Sequence, residues 1–243
     1  MKLNFIVNAL LALTVVEAKV IMLIRHGEKI DDDHIDLSPQ GQARAECLIE
    51  AFGTNGYYVS PQRIYAQCPS EDKQSTRPRD TVTPLAKSLG LEVDLTYIGY
   101  DYEALAGDLK VSQEQVILVC WANDNIPNIA QGLGIPNAPN WKGKIFDDVW
   151  VLTDDPNSFV RDPSNKPTIS KTYSGTEGLD MYVVKENVSK CMNQKLGITT
   201  TTDDDTDESN ELNNTNDSSA SDKVMTNIFT TLAGLFTAFV YLF

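Results

Sequence analysis

The stretch Lys19-Val20-Ile21-Met22-Leu23-Ile24-Arg25-His26-Gly27-Glu28 constrains the fold most. Its apolar run has no polar face, so it reads as a strand covered by other elements on both sides. The run stops abruptly in an arginine, a histidine and a glycine. A cation and a nucleophile therefore stand where a buried strand opens into a loop, a natural place for chemistry.

Downstream elements alternate in kind. An acidic loop, Asp31-Asp32-Asp33-His34, leads to Leu37-Ser38-Pro39, where Ser38 can cap a helix with Pro39 at its first position. Ala43, Cys47, Leu48, Ala51 and Phe52 then recur at helical spacing until Gly53. Arg63 to Ala66 reads as a second strand. Val82, Leu85, Ala86 and Leu89 form one helical face ending at Gly90, and Leu91 to Leu95 is a short strand. Gln115 to Trp121 is the second run apolar on both faces, and Val149 to Leu152 is a later strand. The pattern predicts an α/β domain, a three-layer α/β/α sandwich with a mainly parallel central sheet. Ligands would bind beyond the carboxyl ends of its strands. That rule brings together Arg25-His26-Gly27, the loop after Ala66, and Trp121 to Asn125.

The ends differ in composition from the middle. Residues 1–18 carry Lys2, an apolar run and Val16-Glu17-Ala18, an imperfect small-residue cleavage pattern, and are expected to be a signal peptide. The folded domain is expected over 19–198. Residues 199–221, dominated by Thr, Asp, Glu, Ser and Asn, bury too little apolar surface to fold and are expected to form a solvated stalk. Residues 222–243 end in an apolar run, expected to be a GPI-attachment signal, with a retained membrane helix as the alternative. The expected location is accordingly the secretory pathway and the cell surface. The stalk contributes seven acids to a net charge of −14, and acidity of this order argues against a nucleic-acid partner. Sequons at Asn187, Asn213 and Asn216 are candidate glycosylation sites in such a compartment. Cys47, Cys68, Cys120 and Cys191 allow three disulfide pairings, which sequence does not choose between, and Cys120 also fits as a small core residue. Cysteine spacing shows no metal pattern, and with His26 and His34 the only histidines, neither a metal nor a cofactor is expected.

His26 alone could be a satisfied structural histidine. Its surroundings favour chemistry: Arg25 precedes it, Gly27 permits close backbone approach to a ligand, and Ser75-Thr76-Arg77-Pro78-Arg79-Asp80-Thr81 brings two more guanidinium groups just before a helix. Planar guanidinium forks bind phosphate oxygens bidentately, and a neutral imidazole beside them can attack phosphorus.

At three places in order the sequence resembles the histidine phosphatase superfamily, the phosphoglycerate-mutase-like proteins, including fungal-type secreted members. Leu23-Ile24-Arg25-His26-Gly27-Glu28 is similar to its signature, Leu37 to Ala45 to its helix start, and Arg77 to Leu91 to its second-arginine segment. The resemblance covers roughly residues 20–152. It implies that His26 is the nucleophile that becomes phosphorylated and that Arg25 and Arg77 hold the phosphoryl oxygens, with Arg79 a surface or secondary contact. Glu28 either orients His26 or is a solvated glutamate. The departure lies after the later buried strand. Where the resemblance implies an acid and a second histidine, this chain has Ala122 and Asn123 in Cys120-Trp121-Ala122-Asn123-Asp124-Asn125. Asparagine can donate to a phosphate oxygen but cannot transfer a proton. Asp124 is either a proton donor for the leaving group, as the acid-phosphatase branch would imply, or the cap of the following helix. Two functions follow as expectations: a phosphomonoesterase at the cell surface, or an impaired relative that binds a small phosphorylated ligand or acts as a surface glycoprotein. Thr96 to Lys110 and Pro136 to Lys144 are expected to wall the pocket.

Overall fold

The structure, a computed structural model, describes residues 18–198. The expected signal run through Glu17, the stalk, the tail and the sequons at Asn213 and Asn216 lie outside the described residues. Chain order is β1 (Val20–Arg25), α1 (Pro39–Phe52), β2 (Arg63–Ala66), α2 (Arg77–Leu89), β3 (Val93–Asp94), α3 (Tyr102–Val111), β4 (Val116–Trp121), α4 (Ile126–Gly132), β5 (Asp148–Thr153), β6 (Lys171–Tyr173), β7 (Asp180–Lys185) and α5 (Ser189–Lys195).

One sheet of order β3-β2-β4-β1-β5-β7-β6 runs through the domain. β3, β2, β4 and β1 are parallel, whereas β5, β7 and β6 join antiparallel to their neighbours. The two faces of β1 explain its unbroken apolar run. Val20, Met22 and Ile24 pack with Cys47, Leu48, Val82, Leu85 and Cys191 on one side of the sheet. Ile21 and Leu23 pack with Leu105, Leu109, Ile126 and Ile129 on the other. Helices α1, α2 and α5 thus cover one face and α3 and α4 the other, the three-layer α/β/α sandwich expected from the sequence.

The caps follow local chemistry. Ser38 accepts from the Gly41 N–H with Pro39 in the first turn of α1, and Gly90 ends α2 in the left-handed region at φ 69°. Cys47 of α1 and Cys191 of α5 form a disulfide, while Cys68 and Cys120 are free and Cys120 is a buried core residue. Thr96 to Lys110, expected as a pocket wall, instead contains most of α3, whose Leu105, Ala106 and Leu109 are buried in the core. Among the described residues no helix is long and apolar enough to cross a membrane, and no group of His, Cys, Asp and Glu could hold a metal.

Candidate functional site

The parallel strands β1, β2 and β4 end on the same side, with β4 between the other two. A cleft of about 490 Å³ opens there, lined by Arg25 and His26 after β1, Gln67 after β2, and Ala122, Asn123 and Asp124 after β4. Lys73, Gln74, Ser75, Arg77 and Pro78 close it from the start of α2, and Lys29, Asp32, His34 and Ile35 from the acidic loop. The three segments singled out in the sequence do meet.

His26 is buried at 6% exposure, and its backbone N–H donates to the Trp121 carbonyl (3.1 Å), extending the β1–β4 ladder by one bond. Ring Nδ1 lies 2.7 Å from the Gly27 carbonyl. A carbonyl only accepts, so Nδ1 carries the proton and the lone pair belongs to Nε2. No hydrogen bond engages Nε2 among the described residues, and the ring lines the cleft. Burial first, and the charges of Arg25 and Arg77 next, depress the imidazole pKa to about 4 against a raising bond from Gly27. The ring is therefore a neutral nucleophile across the physiological range. Titration of the His26 ring followed by NMR is expected to give a midpoint near 4; a midpoint near the ordinary 6.5 would contradict this electrostatic account.

Both predicted arginines reach the cleft. The Arg25 guanidinium stacks on Phe146 (3.7 Å to the ring centroid) and donates from Nη1 to the carbonyls of Gly143 (2.6 Å) and Ile145 (3.2 Å). Arg77 opens α2 and donates from Nη1 to the His34 carbonyl (2.7 Å). Nε of each is buried without a partner. Burial lowers the pKa of both, that of Arg25 to about 10, so a buried cation and a partly buried one line one cleft. Arg79 pairs with Asp80 and stays outside the cleft.

Several expectations need correction. Glu28 is neither solvated nor bonded to His26: at 8% exposure its carboxylate accepts from Arg44 Nε (3.0 Å) and Nη2 (2.7 Å). Arg44 Nη1 also donates to Glu186, giving a buried triad of two carboxylates and one guanidinium. Gly27 makes a close approach to the protein itself. A Cβ there would stand 3.0 Å from the Gly41 carbonyl oxygen, and one on Gly41 would stand 2.4 Å from the Glu28 oxygen. The first two motifs are thus one packed unit. Asp124 is not a helix cap, because Asn125 holds that position of α4; its carboxylate pairs with Lys73 Nζ (2.8 Å) at the cleft mouth. Pro136 to Lys144 does not line the cleft but supplies, at Gly143, part of the clamp on Arg25.

Other contributors were given no role from the sequence, although Thr81 lies inside the second-arginine segment. Thr81 Oγ1 accepts from the Gly27 N–H (2.8 Å) and donates to the Arg77 carbonyl (2.7 Å), joining the nucleophile loop to the second-arginine helix. Gln67, 1% exposed, accepts from the Ala122 N–H (3.2 Å) and sets the β4 loop. Phe146 under Arg25 comes from a loop with no motif.

No family model and no curated protein matches the chain. Among solved structures it is similar to a protein assigned as phosphohistidine phosphatase SixA from Agrobacterium tumefaciens, with 17% identity over 55% of this chain and 90% of that one and a TM-score of 0.40. A counterpart from Nakamurella multipartitia has 16% identity over 56% and 84%, with a TM-score of 0.37. A mycobacterial glucosyl-3-phosphoglycerate phosphatase has 15% identity over 56% and 91%, with a TM-score of 0.42.

Proposed function

We propose that the chain hydrolyses phosphomonoesters at the cell surface through a phosphohistidine intermediate on His26. One observation carries the reading: a buried, neutral imidazole with Nδ1 engaged lines the same cleft as Arg25 and Arg77. A phosphoryl dianion in the cleft would pair with both guanidinium groups and neutralise their charge. Nε2 attacks phosphorus, the P–O ester bond breaks, and the alcohol oxygen departs; water then cleaves the P–N bond, returning His26 and releasing phosphate. The motif resemblance of the first two segments and α2 to the histidine phosphatases supports the same chemistry, and a fungal-type secreted member fits the composition of the ends.

A second reading rests on the fourth wall. Asn123 cannot donate a proton to the leaving oxygen, and the Asp124 carboxylate pairs with Lys73 at the exposed cleft mouth. In this reading the site binds phosphorylated ligands and turns over only esters whose leaving group departs unprotonated. The test is steady-state turnover of p-nitrophenyl phosphate beside alkyl phosphates. Clear hydrolysis of both supports the first reading, and of the aryl ester alone the second; no turnover above a His26→Ala control removes hydrolysis altogether. Ala122→Glu with Asn123→His is expected to raise alkyl phosphate turnover about 10²-fold, the scale of one general acid. A double variant no faster than the parent would mean that the missing histidine is not what limits the chain.

The location is part of the same proposal. The Cys47–Cys191 disulfide supports an oxidising compartment. Asn187 is exposed in the turn between β7 and α5, at φ 59°, which supports glycan attachment there. The apolar C-terminal run supports a lipid anchor or membrane helix.

A further inference from the structure

Among the described residues, four buried side-chain polar atoms have no hydrogen-bond partner: Arg25 Nε, Arg77 Nε, Ser75 Oγ and Glu186 Oε1. The first three belong to residues that line the cleft. The arginines are accounted for by the phosphoryl group proposed above, but nothing yet explains the hydroxyl. Buried hydroxyls are normally paired, so an orphan in a residue that lines the same cleft as two arginines points to a ligand atom. Its neighbour Thr76 is used differently: Thr76 Oγ1 donates to Asp80 (2.5 Å) and its backbone N–H to the Ile35 carbonyl (3.1 Å). The adjoining His34 carbonyl takes Arg77 Nη1 (2.7 Å). Residues 34 and 35 therefore fix the backbone on the C-terminal side of Ser75 and the Arg77 fork together, and the serine is held at the cleft by the same support as the second arginine.

We propose that Ser75 is a phosphate-contacting residue whose Oγ–H donates to a non-bridging oxygen of the phosphoryl group held by Arg25 and Arg77. The assignment rests on the phosphate-binding part of the proposed function and not on turnover. A hydroxyl suits the position because it adds a donor without a third charge and rotates to follow the anion's oxygens. It supplies this contact from the segment leading into α2.

The test is isothermal titration of inorganic phosphate into the parent protein, Ser75→Ala, Ser75→Thr and Ser75→Cys, with the unfolding midpoint of each. Ser75→Ala is expected to bind phosphate about 10-fold more weakly, the scale of one hydrogen bond to a charged group. Ser75→Thr should stay within about twofold of the parent, and Ser75→Cys, a poor donor of similar shape, should follow alanine. Because Oγ has no protein partner, the midpoints should not move. Binding by Ser75→Ala within about twofold of the parent overturns the assignment, and so does a Ser75→Ala chain that fails to fold, which would give the hydroxyl a structural role. A parent that binds no phosphate removes this assignment and the proposed function together. A parent that binds phosphate with the expected serine dependence yet hydrolyses no ester removes only the hydrolase reading.

Discussion

Replacing Arg44 by alanine is expected to destabilise the domain by about 3–5 kcal/mol, a large share of the roughly 5–15 kcal/mol typical of a whole domain. The reason is geometric. Arg44 is the only cation bonded to Glu28 and Glu186 among the described residues, and all three are buried. Burial alone would lower the pKa of Arg44, but the Glu186 and Glu28 carboxylates raise it above its ordinary value, so the pair interactions dominate. Even with Arg44 present, burial lifts the Glu186 carboxyl to about 7, with the guanidinium only partly offsetting it. Without the guanidinium, two carboxylates face each other in the core. The folded-state pKa of Glu186 already lies above the unfolded one and loses the guanidinium that offsets it, so the penalty is present at high pH and is relieved as pH falls through the raised value. Urea unfolding of Arg44→Ala should accordingly show a larger loss at pH 8 than at pH 5. A variant with methionine at all three positions should recover most of the stability, since a packed apolar replacement costs far less than a broken pair. Equal losses at both pH values would show that the triad is not what Arg44 supports.

His26→Ala is expected to lower turnover of p-nitrophenyl phosphate by about 10³-fold or more, because it removes the atom that attacks phosphorus. The fold should survive. Among the described residues the ring's only hydrogen bond goes to the Gly27 carbonyl, and the loop stays pinned by Gly27 to Thr81, by Glu28 to Arg44 and by Ser38 to the Glu28 carbonyl (2.9 Å). Phosphate affinity should fall by no more than about tenfold, since the arginines remain. Stability offers a second readout. An unfolded histidine takes up a proton near 6.5, whereas the buried ring resists until about 4, so the parent loses stability as pH falls through that interval. In His26→Ala that loss disappears.

The sequence was most legible where local chemistry and periodicity coincide. Ser38-Pro39 and Gly53 bound α1, Gly90 ends α2, and the unbroken run of β1 marks a strand covered on both faces. Arg25, His26 and Arg77 could be placed together because strands β1, β2 and β4 end on one side. What sequence alone did not yield depends on contacts across long separations. Glu186 stands 142 positions from Arg44, and Gly143 stands 118 positions from Arg25, with no local pattern at either. Glu28 misled for the same reason: a glutamate in a loop normally faces water, and only the tertiary position of Arg44 makes its burial tolerable. The antiparallel edge was hidden because β5 reads as a strand without showing its direction, and because β6 has three exposed or half-exposed residues and β7 mixes Asp180, Tyr182 and Lys185 with its apolar positions, so neither stands out as a covered run.

The central claim is that His26 carries the phosphoryl group. A rapid-quench reaction of the protein with an aryl phosphate, stopped in alkali and digested for mass spectrometry, tests it most directly. The account predicts a phosphoryl adduct on the peptide containing His26, absent from His26→Ala and lost again once substrate is exhausted. Turnover that proceeds with no adduct on His26, or with an adduct on another residue, would contradict it.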